Sequence, residues 1–439
     1  MNFNILQIPV PRDIPLDLPL PHAVLVILLV ISFLLHILFV NLMVGGSLLT
    51  MWFEIKGLRK KEYDTFAREI AQTITVNKSL AVVLGVAPLL SINALYTIYF
   101  YSANALTGLF WISVIPTVIV AFLLLYAHKY TWDKLQNNKG LHISIIGFAV
   151  FLFFMIPLIF LTNINLMLFP EKWDGIHGFF SALTLPNVFP RYFHFLTASL
   201  ALTGLFLTWF FGRKSFKFEE KVPGISRYQA RKKTYTLAFA ATVMQLFFGP
   251  FVLLTLPTKG IAWDLILVIL AGVIVAVIAM IWMWKEITGP EETLGKRFYW
   301  IAAILGGVVL FMGTGRHLYR ANALIAHQEV MAEVTRHHKE MVEQAKIDAL
   351  KPKPKAKKVS LGEQLFRDKC TVCHNMETRL VGPPVAEMIE IYKNDQATMK
   401  QWIKEPGRKR PDYPPMAGFP NLSEDELTKL TDYILALKI

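Results

Sequence analysis

Two cysteines and a histidine form the most specific chemical motif of the chain. Residues 370–374 read Cys-Thr-Val-Cys-His, and no other cysteine occurs among the 439 residues. This spacing lets two thiols bond the vinyl groups of a haem while the adjacent imidazole reaches the iron. A zinc site would need further ligands, and a thioredoxin-like dithiol would need a βαβ setting. Cys370, Cys373 and His374 therefore predict one covalently attached haem c.

The segment that surrounds this motif, residues 359–439, resembles a class I (monohaem) cytochrome c. The resemblance rests on an opening helix at Gly362–Lys369, the haem motif, Gly382-Pro383-Pro384, Trp402-Ile403, Tyr413-Pro414-Pro415-Met416 and a closing helix at Ser423–Leu437. It implies Met416 as the axial ligand opposite His374, and a thioether in a proline-rich loop suits a rigid ligand that raises the reduction potential. Met376, Met388 and Met399 are the alternatives.

The rest of the chain has the composition of a membrane protein. Hydrophobic residues make up 54% and charged residues 18% of the sequence, and the mean hydropathy is +0.44. The apolar residues come in runs of about 20, the length that crosses a bilayer core. The runs predict eight spans, at roughly 23–53, 79–101, 105–130, 141–163, 192–212, 234–256, 262–284 and 298–318.

Loop charges predict the orientation of these spans. Twenty Lys and Arg residues lie in the loops on one side, against four on the other side. By the positive-inside rule, both termini lie outside the cytoplasm. The basic loops also account for the net charge of +13, so nucleic acid is not expected as a partner. Because haem is attached to CxxCH motifs on the outer face, both arguments place the haem c domain on the periplasmic side of a bacterial cytoplasmic membrane.

The predicted fold is all-α, a polytopic helical membrane bundle followed by a small α-helical cytochrome c domain. The expected parts are an external N-terminal segment at 1–22, a membrane domain at 23–318, a polar helix with a Lys/Pro linker at 319–358, and the cytochrome c domain at 359–439.

Ionisable residues within spans are functional candidates, because burying them in a bilayer is costly. With the N-terminus outside, Arg191 and His194 open the fifth span at its outer end, and Arg316, His317 and Arg320 close the eighth. His36 lies near the middle of the first span. Histidines at one depth could ligate haem b, and arginines could pair with its propionates or extend to lipid headgroups. The remaining histidines are expected at the interface (His22 and His128) or in solvent (His142, His177, His327, His337 and His338).

The membrane segment, over roughly residues 20–318, resembles the large subunit of cytochrome bd-type quinol oxidases. The similarity rests on His36-Ile37-Leu38-Phe39-Val40-Asn41-Leu42 with Gly45, on Thr131-Trp132-Asp133-Lys134-Leu135, on Arg191-Tyr192-Phe193-His194, and faintly on Gly315-Arg316. The resemblance implies that His36 ligates a haem of a paired-haem site and that His194 ligates a haem b near the outer face. It also implies a second membrane subunit as partner.

The chain departs from this family at three points. The third span, 105–130, has no Asp or Glu, where the family has glutamates that serve oxygen reduction. The loop that builds the quinol site in the family is reduced to about Pro257–Trp263. No methionine occurs in Asp264–Ile274 to pair with His194, and His317 is the substitute at a matching depth.

Three functions follow. The first is a respiratory electron-transfer subunit that takes electrons from membrane quinol through haem b to haem c, and then to an external cytochrome c or another carrier. Proton acceptors for quinol oxidation would come from Glu171, Asp174, His177 and Asp264. The second is a bd-like terminal oxidase fed through its cytochrome c domain, and the third is a haem-free membrane scaffold that anchors a cytochrome c in a larger complex.

Overall fold

The computed structural model describes residues 18–74, 78–350, 359–408 and 410–438. Most of the predicted N-terminal segment and the whole KPKPKAKK spacer at 351–358 lie outside these residues. The fold is all-α, as predicted, and the described residues contain no strand. The chain divides into two compact units, at 1–339 and 340–439.

The described residues of the first unit form twelve α-helices. They are α1 (His22–Gly57), α2 (Lys61–Ile74), α3 (Lys78–Leu95), α4 (Thr97–Thr107), α5 (Leu109–Tyr130), α6 (Lys139–Leu166), α7 (Phe179–Leu183), α8 (Val188–Gly212), α9 (Phe218–Lys221), α10 (Arg227–Leu254), α11 (Trp263–Thr288) and α12 (Phe298–Leu350). The last helix continues beyond the predicted span end at residue 318, because residues 319–350 are mainly helix-forming.

Seven of these helices are long and apolar enough to cross a membrane, and the α3–α4 pair makes an eighth crossing if it counts as one span. The predicted second span, 79–101, is wrong as a single helix, because α3 and α4 are bent by 111°. Tyr96 joins them with non-helical torsions, φ −131° and ψ 38°. The sequence did not signal this break, since the nearby proline, Pro88, lies inside α3.

The ends of α1 and α5 fix the direction of the chain through this bent pair. Glu54, near the C-terminal end of α1, lies 2.7 Å from His128, near the C-terminal end of α5. Both helices therefore finish at the same end of the bundle, and the segment between them must return the chain to the opposite end. This agrees with eight crossings.

In the part of the second unit that the structure describes, four helices follow α12: α13 (Leu361–Lys369), α14 (Val385–Tyr392), α15 (Gln396–Lys404) and α16 (Glu424–Ala436). The first and last of these cross closely at Gly362, where a Cβ would lie 2.1 Å from the Lys429 carbonyl oxygen. Phe366 and Tyr433 pack beside the crossing, with ring centroids 5.6 Å apart. The opening and closing helices agree with the sequence prediction to within one residue at each end.

Candidate haem-binding sites

The haem c motif follows directly on α13. Cys370 is buried and Cys373 is half-buried, and burial raises the pKa of the Cys370 thiol to about 11. Burial of this kind disfavours the thiolate and with it solution redox chemistry at Cys370.

His374 is oriented as an iron ligand requires. Its Nδ1 donates a hydrogen bond to the Pro383 carbonyl oxygen at 2.8 Å, so Nε2 keeps the lone pair that would bind iron. Gly382 lies against the ring, and a Cβ there would come within 2.5 Å of His374 Cε1. The Gly-Pro-Pro segment thus sets the imidazole tautomer and leaves room for the ring, and these residues fit a haem c.

Met416, the proposed opposite ligand, is half-buried in the loop before α16. Arg379, which follows the haem motif, holds this loop: it donates to the Asp412 carbonyl oxygen and lies 4.2 Å from the Tyr413 ring centroid. Of the alternative methionines, Met399 is buried in the core of the unit at 1% exposure. Met388 packs against that core and Met376 is exposed.

In the membrane unit, the imidazole of His36 on α1 makes the same kind of hydrogen bond as that of His374. Its Nδ1 donates to the Ala81 carbonyl oxygen of α3 at 2.9 Å, which leaves Nε2 unshared. One turn further along α3, Gly85 makes room for the ring, since a Cβ there would lie 2.9 Å from His36 Cε1. The arrangement fits a haem ligand.

Close packing of α1 on α8 sets His36 and His194 at one level. Gly45 permits the approach: its Cβ would lie 2.3 Å from Thr203 Oγ1 and 2.5 Å from the Ser199 carbonyl oxygen. The Ser199 hydroxyl also donates to Asn41 Oδ1 at 2.9 Å. In each of the two contacting pairs, Asn41 with Ser199 and Gly45 with Thr203, the residues are 158 positions apart in the sequence. His36 and His194 are also 158 positions apart, so they lie at the same level of α1 and α8.

His194 and His317 each have a buried Nδ1 without a hydrogen-bond partner among the described residues. A buried imidazole nitrogen with no partner is unusual and calls for a ligand or another polar group.

Three arginines lie at this same end of the bundle. Arg191, Arg316 and Arg320 are close enough to repel one another, and none forms an ion pair with a carboxylate of the described residues. Arg316 lies 4.5 Å from the ring centroid of Phe33, one turn from His36. Arg320 is only 6% exposed. The structure therefore places Arg316 close to His36, although the sequence had placed the two residues at different depths. It also leaves three positive charges without a carboxylate partner among the described residues, which fits the propionates of a haem.

The candidate proton acceptors do not converge. Glu171 forms an exposed ion pair with Lys259 at 2.9 Å, and Asp264 Oδ1 accepts from the backbone N–H of Leu265 at 2.8 Å. Asp174 and His177 are exposed.

For some of the histidines expected at the interface or in solvent, the location expected from the sequence is wrong. His142 is fully buried and His128 is 1% exposed, so the expectations of solvent and interfacial positions for them are wrong. Both contact Glu54, which is also fully buried. Sequence reasoning ended the first span at residue 53 and missed this carboxylate, although an acid inside the apolar run MWFEI is itself a signal. His177 and His337 are exposed as expected and His338 is half-buried, whereas the His327 side chain lies outside the described set.

The comparisons with known proteins agree with this division. The cytochrome c family model matches residues 359–438. The C-terminal segment is a cytochrome c domain. No curated protein sequence matches the chain. Among solved structures, the bd oxidase from Geobacillus thermodenitrificans is similar over 68% of this chain and 87% of its own, with 16% identity and a TM-score of 0.57.

A match of that length takes in most of the membrane unit, since the cytochrome c domain is far too short to supply it. At this identity the similarity concerns the fold alone. The membrane part has a bd-oxidase-like fold, and the cytochrome c domain at the C-terminal end gives the chain an electron-transfer role.

Proposed function

We propose that the chain is a membrane-bound subunit that oxidises quinol and delivers its electrons to the haem c domain on the outer face. The observation that carries the proposal is the group of three arginines without a carboxylate partner among the described residues, one buried and two half-buried, beside His194 and His317. They lie in a membrane unit of a chain that also carries a cytochrome c domain. Bound there, haem b would supply a one-electron carrier between a two-electron donor and haem c.

The residues of the chain divide this work. His194 and His317 would hold the iron of the haem b, and His36 would hold a second haem at the same level of the bundle. Arg191 and Arg316 would neutralise propionates, because guanidinium groups bind carboxylates through charge-assisted hydrogen bonds.

Oxidation of one quinol removes two electrons and releases two protons, so proton acceptors are needed at the same end. Asp174 and His177 are exposed there and free to exchange protons with water, whereas Glu171 is already paired with Lys259. We assign proton release to the first two. The positive-inside rule predicts that this end faces the periplasm of a bacterial inner membrane, so the protons would leave on the outer side.

Respiratory proteins are the expected partners. We propose a second membrane subunit, as in the family that the membrane part resembles, and an external cytochrome c or another soluble carrier as electron acceptor.

The test is a reduced-minus-oxidised spectrum of the purified full-length protein, with pyridine haemochrome quantification of haem b and haem c. We expect both haems, with the haem b content lowered in His194→Ala and unchanged in the exposed control His337→Ala. Quinol added to the oxidised protein should reduce haem c in the wild type and not in His194→Ala.

Two results would contradict the proposal. A haem d band together with oxygen consumption would favour the bd-like oxidase. Haem c alone, with no loss of chromophore in any histidine variant of the membrane unit, would leave the haem-free scaffold.

A further inference from the structure

A second buried polar site lies at the opposite end of the membrane unit. Glu54 of α1, His128 of α5 and His142 of α6, here called the Glu54 cluster, are buried to 0%, 1% and 0% exposure. His128 Nε2 lies 2.7 Å from Glu54 Oε2, and His142 Nδ1 contacts Glu54 Oε1. Glu54 lies eighteen residues from His36, or about 27 Å along the helix, so this site is separate from the proposed haem sites.

The hydrogen bonds of His142 require a cation in the cluster. Its Nε2 is 2.8 Å from the carbonyl oxygen of His128 and must donate its proton there. A neutral imidazole then has a lone pair on Nδ1, and this lone pair faces the Glu54 carboxylate. Two acceptors in contact repel each other unless a proton or a metal ion lies between them.

The surroundings limit how much positive charge the imidazoles themselves can carry. The rings of His128 and His142 are stacked, with centroids 4.0 Å apart, and two imidazolium ions would repel in that position. Trp132, 2% exposed, packs edge-on against both rings at 5.0 and 4.8 Å and excludes water from this side.

Lys139 does not supply the missing cation. Its Nζ lies 2.7 Å from Asp64 and 3.4 Å from Glu54, so its charge is taken mainly by Asp64. If His128 and His142 are both neutral, the carboxylates of Glu54 and Asp64 and the ammonium of Lys139 add up to one negative charge in a buried site. Such a charge is costly without a partner.

We propose that the Glu54 cluster binds one divalent transition-metal ion, with Zn²⁺ the best match. The ligands would be the Glu54 carboxylate, His128 Nε2 and His142 Nδ1, whose donor atoms all lie within 4.8 Å of one another. Two imidazoles and a carboxylate are a donor set that suits zinc, with bonds of about 2.0–2.2 Å.

The surrounding contacts match those of a metal site. Metal-bound histidines usually donate their second N–H to a carbonyl or carboxylate, as His142 does to the His128 carbonyl. Because the three ligands come from three helices, the ion would tie the ends of α1, α5 and α6 together, and its binding free energy would add to the stability of the fold.

The experiment measures metal in the purified full-length protein after equilibration with Zn²⁺ and removal of free ion. Mass spectrometry should find one zinc per chain, counted separately from haem iron. X-ray absorption spectroscopy at the zinc edge should show only nitrogen and oxygen ligands, at about 2.0–2.1 Å from the zinc. This second measurement needs no variant, so a misfolded mutant cannot decide the question.

Variants locate the ion. His128→Ala and His142→Ala should each lower zinc affinity at least 10-fold, with haem content unchanged, and the exposed control His337→Ala should retain full zinc. The proposal would be overturned if the wild type bound no more zinc than the double variant His128→Ala/His142→Ala. The cation would then be a proton, with His142 as an imidazolium paired to Glu54.

Discussion

The space beside His374 gives the sharpest test of the haem c site. Replacing Gly382 with alanine places a Cβ 2.5 Å from His374 Cε1, where ordinary contacts begin at 3.4 Å. The ring must therefore move by about 1 Å, and its hydrogen bond to Pro383, now 2.8 Å, would lengthen or break. Overpacking of this kind costs about 1–3 kcal/mol.

Thermal melting of the full-length protein, followed through haem c absorption, measures this cost. A loss of that size should lower the Tm of a domain this small by roughly 5–20 °C. The ligand-field spectrum of the ferric haem should change as well, because the displaced ring is the proposed iron ligand.

Gly407→Ala is the matched control in the same domain, since its Cβ meets only the edge of Trp402 at 3.3 Å. The reasoning is refuted if Gly382→Ala melts and absorbs like the wild type, or if Gly407→Ala produces the same spectral change.

Three further predictions concern other parts of the chain. Gly45→Ala should separate α1 from α8, cost about 1–3 kcal/mol and lower the haem b content, whereas Gly140→Ala, which meets nothing within 4 Å, should do neither. Met416→Ala should lower the haem c reduction potential in a redox titration while haem attachment stays complete, because axial ligands tune haem potentials over about 0.8 V; an unchanged potential would exclude Met416 as ligand. Hydrogen bonds from Ser423 hold the pKa of Glu426 below its ordinary value. This capping box therefore stabilises α16 at pH values above the ordinary pKa of Glu426, and the stabilisation is lost as the pH falls through the lowered pKa. The Tm difference between wild type and Ser423→Ala should therefore be largest near neutral pH and shrink on acidification, and a pH-independent difference would contradict this.

Local sequence patterns were sufficient to predict the features that depend on residues close together in the sequence. The haem motif, α13 and α16 are set by spacing, capping residues and helix periodicity, and the apolar runs located the spans. The break at Tyr96 was not predictable in this way. No proline or glycine occupies that position, and the turn is held by packing of Tyr96 and Phe100 in a large core that also contains residues of α6 and α8.

The two membrane sites show the same limit. His36 looked isolated in the middle of an apolar run, and its relation to Arg316 and His194 depends on the register of α1 against α8 and α12. The Glu54 cluster joins positions 54, 128 and 142, whose contact depends on how three helix ends meet. Charged residues near span ends could have suggested such a cluster, but pattern alone does not specify which residues meet.

Unbalanced charge is common to these two sites. At the end that carries Arg191, Arg316 and Arg320, positive charge has no carboxylate partner among the described residues, and desolvating unpaired ions costs several kcal/mol each. At the other end, Glu54 and Asp64 outnumber Lys139 by one negative charge. On the two proposals made here, an anionic group would balance the first end and a cation would balance the second. Haem propionates and a divalent ion would supply these charges, and measuring haem b and zinc on the same preparations tests each independently of the other.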